Sequence, residues 1–265
     1  MSFLVEPVPQ RETMRDKRRE QLLKAMPPEH HEFLPPTPCT AIIYGAIGSG
    51  KSSLLYSWLK NLFPHYYDEC LIFCGSADSK EAFESVPQKR VVFLTDYDDE
   101  AFTDYIDKLK EHQLERMAAR KSPLNIFIGM DDIVFSQSIS SKGKPSMAER
   151  LMLICRHELN ATVIICVQHS KQVNPAMRNN TLLHILTRLQ KNDLQKVAEA
   201  HCNHLSEKEF MAMYHDIHKD PYQFLVVDYK ALPSKRFRHG WTKHYSSSPL
   251  RDEPLKAIGE DRPAV

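Results

Sequence analysis

The sequence predicts an α/β fold in which a mostly parallel central sheet is flanked by helices. Short apolar segments alternate with segments whose apolar residues recur at helical spacing, as in successive strand–helix units. A glycine-rich stretch joins the first of these strands to a helix, and polar residues directly follow two later strands. Parallel sheets bind ligands at the carboxyl ends of their strands, so these polar residues are the candidates for a functional site.

The composition is that of one large domain with appendages. The chain has 265 residues, of which 42% are apolar, and a net charge of +1. No global basic field attracts nucleic acid, so any contact with DNA must come from local patches. The six cysteines are scattered, and four of them sit within apolar segments as small buried side chains do, which indicates a reducing compartment; no pair has zinc-ribbon spacing. No run of about 18 apolar residues is present, so we expect no membrane-spanning segment.

We expect three regions along the chain. Residues 1–38 form a proline-rich, basic arm, residues 39–230 the core, and residues 231–265 a basic-aromatic segment followed by a mobile tail. The basic cluster of the arm is either solvated or a tether to a neighbouring subunit or nucleic acid; it comprises Arg15, Lys17, Arg18 and Arg19. Residues 234–245 mix basic and aromatic side chains, which suits either nucleic-acid binding or a strand with buried aromatic rings.

The core is predicted to contain seven strands, most of them apolar and uninterrupted, as expected when both faces of a parallel sheet are covered. The predicted strands are Cys39–Tyr44, Cys70–Cys74, Arg90–Leu94, Asn125–Met130, Ala161–Val167, Thr181–Leu189 and Tyr222–Tyr229. Helical spacing predicts a helix after the glycine-rich stretch and four more, at Asp98–Arg120, Met147–Glu158, Asp193–Asn203 and Ser206–His218.

The glycine-rich stretch, GAIGSGKS, has the spacing G-x-x-x-x-G-K-S of a phosphate-binding loop. Glycines let backbone N–H groups approach phosphate oxygens, and the following helix directs its positive end at the same anion. Lys51 is expected to reach the β- and γ-phosphates of a nucleoside triphosphate, and the Ser52 hydroxyl to ligate Mg²⁺. The residues expected to contact nucleotide are Gly45, Ala46, Ile47, Gly48, Ser49, Gly50, Lys51, Ser52 and Ser53.

Polar residues at two strand ends are candidates for hydrolysis chemistry. Asp131 and Asp132 follow the fourth strand, where one carboxylate would hold Mg²⁺ and the other would polarise the attacking water. We assign Asp131 to the metal and Asp132 to the water; the alternative is a helix cap or an exposed turn. Gln168 follows the next strand, and its amide can orient water and contact the γ-phosphate, since it both donates and accepts hydrogen bonds.

Other basic and metal-binding candidates are less sharply defined. Arg156 could stabilise charge on the γ-phosphate from a neighbouring subunit, with Arg178 as the competitor for that role; an arginine favoured by a helix dipole is the alternative. Lys142 and Lys144 lie in a polar loop that is either solvated or in contact with a phosphate backbone. A zinc site is a weak alternative because its residues include a single cysteine; they are His201, Cys202, His204, His215 and His218.

Three blocks in order, GAIGSGKS, IFIGMDDIV and RHELNATVIICVQHSKQVNPAMRNN, resemble the poxvirus-like viral genome-packaging ATPases of the FtsK–HerA superfamily. The resemblance covers roughly residues 38–240 and implies a P-loop NTPase fold of the ASCE, RecA-like type. It implies ATP and Mg²⁺ as cofactors, Asp132 as the catalytic carboxylate, Gln168 as the γ-phosphate sensor and an arginine finger in trans, for which Arg156 is the match.

The resemblance also implies a function: ATP hydrolysis that drives double-stranded DNA into a preformed capsid. The partners it implies are duplex DNA, a homo-oligomeric ring (pentamer or hexamer) and a viral capsid or portal-vertex protein, and the place is an intracellular virus assembly site or the virion. Two other functions fit the phosphate loop by itself. They are a phosphotransferase acting on a small molecule and a nucleotide-gated scaffold.

Overall fold

The computed structural model describes residues 17–74, 77–131 and 145–245; Arg15, Asp132, Lys142 and Lys144 lie outside them. The strands are β1 (Thr40–Tyr44), β2 (Glu69–Cys74), β3 (Val91–Leu94), β4 (Ile126–Asp131), β5 (Ala161–Val167), β6 (Leu183–Leu186), β7 (Leu225–Asp228), β8 (Phe237–His239) and β9 (Lys243–His244). The helices are α1 (Lys17–Ala25), α2 (Lys51–Ser57), α3 (Ala77–Glu84), α4 (Asp99–Ala118), α5 (Met147–Ile154), α6 (Pro175–Asn179), α7 (Lys191–His201) and α8 (Glu207–Ile217). Helices α2 and α5 each continue into a π-helical turn, at Trp58–Leu62 and Cys155–Leu159.

The strands form one sheet in the order β3-β2-β4-β5-β1-β6-β7-β8-β9. Strands β1 to β6 pair in parallel, and β7 to β9 extend the sheet as antiparallel strands. The prediction of a mostly parallel sheet flanked by helices is therefore confirmed. Strand β5 lies between β1 and β4, so the three strand ends that carry the predicted site residues are neighbours at one edge.

The core occupies both faces of the sheet. In β1, Ile43 packs with Leu55 and Trp58, which follow the glycine-rich loop, while Ile42 lies in the opposite cluster with Ile106 of α4. Every residue of β1 is buried, which explains why the strand is apolar without alternation. Burial of a side chain such as Ile42 or Ile43 contributes about 1.5–3 kcal/mol, so the buried sheet is a stable base for the loop that follows β1.

Residues 234–245 form the last antiparallel strands and pack their aromatic rings inward. Phe237 is buried, and the ring of Trp241 lies 5.6 Å from that of Trp58, centroid to centroid. Arg238 makes a buried ion pair with Asp228 of β7. Of the two interpretations of this segment, the structure therefore shows the strand, in which Phe237 is buried and Trp241 and Tyr245 are partly buried.

Two arginines of the basic N-terminal cluster contact the chain's own core. Arg18 donates two hydrogen bonds of 2.8 Å to the Asp68 carboxylate, just before β2. Arg19 donates to the carbonyl oxygens of Leu34 and Pro35, at 3.1 and 2.7 Å. Helix α1 is thus fastened to the sheet by charged hydrogen bonds. The domain boundary at residue 38 stays a prediction.

The Asp68 carboxylate makes a pH-dependent contribution to stability. Burial by itself would raise its pKa, but hydrogen bonds from Arg18, Lys89 and the Asn125 N–H lower the pKa to about 2. An unfolded aspartate titrates near pH ~3.9. The contribution is therefore complete above that pH and is lost as the pH falls through about 2.

Asp68→Asn is expected to lower the free energy of unfolding by about 1 kcal/mol at pH 7, a value reduced for the partial exposure of its partners. The difference in the free energy of unfolding between this variant and wild type should be clearly smaller at pH 3. Urea unfolding at both pH values measures this, with Asp104→Asn, which removes an exposed acid on α4, as the matched control. An equal loss at both pH values would show that the charge of Asp68 is not responsible.

Candidate active site

The glycine-rich loop begins at the carboxyl end of β1 and is fixed to the strands on both sides. The Gly45 N–H donates to the Val167 carbonyl at the end of β5 (3.1 Å), and the Ala46 N–H donates to the Arg188 carbonyl beyond β6 (2.9 Å). The loop then turns into α2 through Gly48 (φ 72°) and Gly50 (φ 92°). Both are in the left-handed region, where a side chain is costly, so the backbone geometry requires these glycines.

Lys51 is the first residue of α2, and its ammonium group lies within the loop. It is 8% exposed and donates to the carbonyl oxygens of Gly45 (2.9 Å) and Ala46 (3.0 Å). Ser52 beside it is half-buried, while Ile47 at the tip of the loop is 83% exposed. A buried cation is thus combined with the N-terminal end of a helix and with two glycines in the left-handed conformation, which is an arrangement suited to a phosphate chain.

Thr187, directly after β6, braces the loop, and the sequence analysis did not identify it. Its hydroxyl donates to the Tyr44 carbonyl (2.9 Å), and it lies 2.8 Å from the Ser49 hydroxyl. Thr187 is itself a polar residue at a strand end. The sequence prediction extended the sixth strand to Leu189 and so placed Thr187 inside it, whereas the strand in the structure ends at Leu186. The rule that singled out Asp131 and Gln168 therefore could not have found Thr187.

Gly45→Ala is expected to destabilise the fold by about 1–3 kcal/mol, as overpacking does, and to weaken nucleotide binding. An added Cβ would lie 1.8 Å from the Thr187 hydroxyl oxygen and 2.3 Å from that of Ser49. The free energy of unfolding and ATP binding measure the two effects.

Gly48→Ala is the matched control, since a Cβ there meets nothing within 4 Å and the cost is the left-handed backbone alone. Thr187→Ala should partly rescue Gly45→Ala, because it removes the nearest clashing atom. Additive losses in the double variant would contradict the proposed clash.

Asp131 and Gln168 lie at the same edge as the loop. Asp131 ends β4, is 2% exposed and follows Met130, which pairs with Ile165 of β5. Gln168 follows Val167, the β5 residue that binds Gly45. The Ser52 hydroxyl and the Asp131 carboxylate are hard oxygen donors, which is the ligand chemistry of Mg²⁺. The structure thus gathers Lys51, Ser52, Asp131 and Gln168, whereas Asp132 falls outside the described residues.

Arg156 lies far from its own loop. It is in the π-helical turn after α5, before β5 begins, at the opposite edge of the sheet. The seven residues of β5, at about 3.3 Å each, separate the two edges by roughly 20 Å. Arg156 is half-buried, and its Nε is buried without a hydrogen bond to any described residue. Any contact between this side chain and a phosphate would have to be made in another subunit.

Arg178 lies on α6 and lines a cavity of about 630 Å³ with Tyr44, His201 and others. The cavity is on the face of the sheet opposite α2. Burial, and next the nearby charge of Arg178, lower the pKa of His201 to about 4, so this histidine is neutral at pH 7. In the described part of the chain, no three His, Cys, Asp or Glu side chains cluster as a metal site, so residues 201, 202, 204, 215 and 218 do not form the zinc site considered above. None of the described helices is both long and apolar enough to cross a bilayer.

The strand order defines the class of protein. One strand, β5, lies between the strand that leads into the phosphate loop and the strand that ends in Asp131. This sheet, with the loop and the buried Lys51, is that of a P-loop ATPase of the ASCE, RecA-like type, for which ATP and Mg²⁺ are the cofactors. The chain belongs to the poxvirus A32 protein family, whose family model matches residues 30–238.

Solved structures show the same fold. The DNA-packaging ATPase B204 of Sulfolobus turreted icosahedral virus is 19% identical, with a TM-score of 0.51 over 77% of this chain and 97% of that one. The pCW3 conjugation coupling protein TcpA, determined with ATPγS, is 17% identical, with a TM-score of 0.51 over 72% of this chain and 57% of that one. At these identities the likeness establishes the fold. No curated protein matches the chain.

Proposed function

We propose that this chain is an ATP-driven translocase that moves double-stranded DNA into a preformed viral capsid. Its family and its likeness to a DNA-packaging ATPase support this function. The proposed assembly is a homo-oligomeric ring of five or six subunits that contacts duplex DNA and a capsid or portal-vertex protein. It would act at intracellular virus assembly sites or in the virion.

The observation that carries the ATP-hydrolysing part of the proposal is the placement of Asp131 and Gln168 with Lys51 at one sheet edge. The DNA-moving part is supported by the family. In the proposed mechanism, Lys51 neutralises the β- and γ-phosphates, and Asp132 polarises the attacking water. Ser52 and Asp131 would hold Mg²⁺, which supplies further neutralisation of the phosphate oxygens when bound. Gln168 contacts the γ-phosphate and responds to its loss.

The segment after Gln168 offers a route from hydrolysis to movement. The Gln168 N–H donates to the Gln172 side-chain oxygen (2.9 Å), which ties the strand end to the next turn. Asp193, near the start of α7, accepts from the N–H and the hydroxyl of Ser170 (2.9 and 2.8 Å) and contacts His169 Nδ1 (3.0 Å). We propose these hydrogen bonds as the route by which a displacement of Gln168 reaches α7.

The decisive experiment measures ATP turnover with and without duplex DNA, alongside the native mass of the protein. A translocase predicts a ring whose turnover rises with DNA. A small-molecule phosphotransferase predicts turnover that depends on an acceptor and ignores DNA, and a nucleotide-gated scaffold predicts binding without sustained turnover. Either of these last two results would overturn the proposal.

A further inference from the structure

Tyr222 is the one aromatic side chain among the described Phe, Trp and Tyr residues that is exposed, at 77%. It lies in the turn between α8 and β7, three residues before Leu225. Because β7 is antiparallel, with Leu225 opposite Leu186 at the end of β6, this turn lies at the same edge as the phosphate loop. The most exposed ring of the structure is therefore next to the nucleotide site.

The Tyr222 ring lies directly against the loop. Its Cδ1 is 3.4 Å from the position that a Cβ on Gly50 would occupy, and Gly50 immediately precedes Lys51. Tyr222 itself has φ 59°, a conformation unfavourable for a bulky residue, so the fold presents the ring at a cost in backbone energy. The ring thus borders the space into which a nucleotide extends from its phosphates.

The turn that carries Tyr222 is anchored to α2. Phe224 packs against Trp241, centroids 5.2 Å apart, and Trp241 packs against Trp58 of the π-helical turn that continues α2. The Gly240 N–H also donates to the Phe224 carbonyl (3.0 Å). The position of Tyr222 relative to the loop is therefore fixed through helix α2, which directly follows the loop. A side chain on which a base stacks needs such fixed placement.

We propose that Tyr222 stacks on the purine base of ATP bound at the phosphate loop. The inference rests on the proposed nucleotide site and adds the group that would hold its base. Every base has a π-face, so stacking adds affinity without selecting a particular base. Loss of the ring should consequently weaken the binding of ATP and of GTP by similar factors.

The test compares the binding of Mg·ATP and Mg·tripolyphosphate, which has no base. Tyr222→Ala and Tyr222→Gly should each weaken the binding of ATP about tenfold and leave the binding of tripolyphosphate unchanged. Tyr222→Gly also relieves the backbone, because glycine tolerates positive φ, so its thermal stability should not fall. Tyr222→Phe and Tyr222→Trp should restore the affinity. Leu232→Ala, which removes a 70% exposed side chain elsewhere, is the control.

Three results would overturn the assignment. Unchanged ATP affinity in Tyr222→Ala would show that the ring does not stack on the base. If the same variant also lost the stimulation of turnover by DNA, the ring would contact DNA instead. Equal weakening of ATP and tripolyphosphate would show that Tyr222 shapes the loop. Wild-type protein that bound neither compound would reject the nucleotide site itself, and the Tyr222 proposal with it.

Discussion

Lys51→Ala is expected to reduce ATP turnover by at least about 100-fold, the loss that follows removal of one preorganised charge-stabilising group. The Lys51 ammonium group is buried inside the loop, where it donates to the carbonyl oxygens of Gly45 and Ala46. This ammonium group would be the cation nearest to a phosphate chain bound in the loop. Alanine at position 51 would leave the negative charge of the phosphates without that cation. Steady-state phosphate release measures the effect.

Lys60→Ala is the matched control, because Lys60 is an exposed lysine in the continuation of the same helix and contacts the Tyr56 hydroxyl. Its turnover should stay near wild type. Thermal unfolding of Lys51→Ala must accompany the assay, since the loop loses two hydrogen bonds. A folded Lys51→Ala protein with wild-type turnover would exclude this loop as the site of hydrolysis.

Arg156→Ala is expected to lower turnover by about 10³–10⁵-fold in an assembled ring, the usual contribution of an arginine finger. Arg156 lies at the sheet edge opposite the phosphate loop of its own subunit. It can therefore act on a phosphate only if this edge faces the phosphate loop of a neighbouring subunit. A head-to-tail ring brings two different faces of the subunit together and supplies that contact. Arg178→Ala, which alters a residue of the separate cavity, should have a much smaller effect.

Mixing separates an action in trans from a structural role. Arg156→Ala subunits keep an intact loop, and Lys51→Ala subunits keep the finger. In randomly mixed rings about a quarter of the interfaces would join an intact loop to an intact finger, and turnover should reappear. Native mass must show that rings form in each sample. A mixture no more active than its two components would remove Arg156 from the mechanism.

Local pattern was enough to predict much of the fold. The strands β1, β2, β4 and β5 are continuous apolar runs buried on both faces. The loop from Gly45 to Ser52 contains two residues of positive φ, Gly48 and Gly50, and both are glycines in the sequence. These features can be predicted from short stretches of sequence, because a strand buried on both faces needs consecutive apolar residues and a turn of positive φ needs glycine. Helices α3 and α6 were not predicted, and for the segment that holds β8 and β9 a strand was only one of two interpretations, since these elements are short and their residues are mixed in polarity.

The strand order was decided only by the tertiary structure. It places β5 between β1 and β4, and so brings Asp131 and Gln168 to the edge that holds Lys51. Roles for these residues, and for Asp132 beyond the described part of the chain, stay predictions from the motif.

By itself, the sequence determined the class of site: a strand, a glycine loop and a lysine that together suit a triphosphate. Only the folded chain decided that Thr187 braces Gly45, that Arg18 fastens α1 to Asp68, and that Tyr222 lies against Gly50. Each of these contacts joins residues far apart in the chain. Such pairs depend on strand order and on packing across the sheet, and no local periodicity records them.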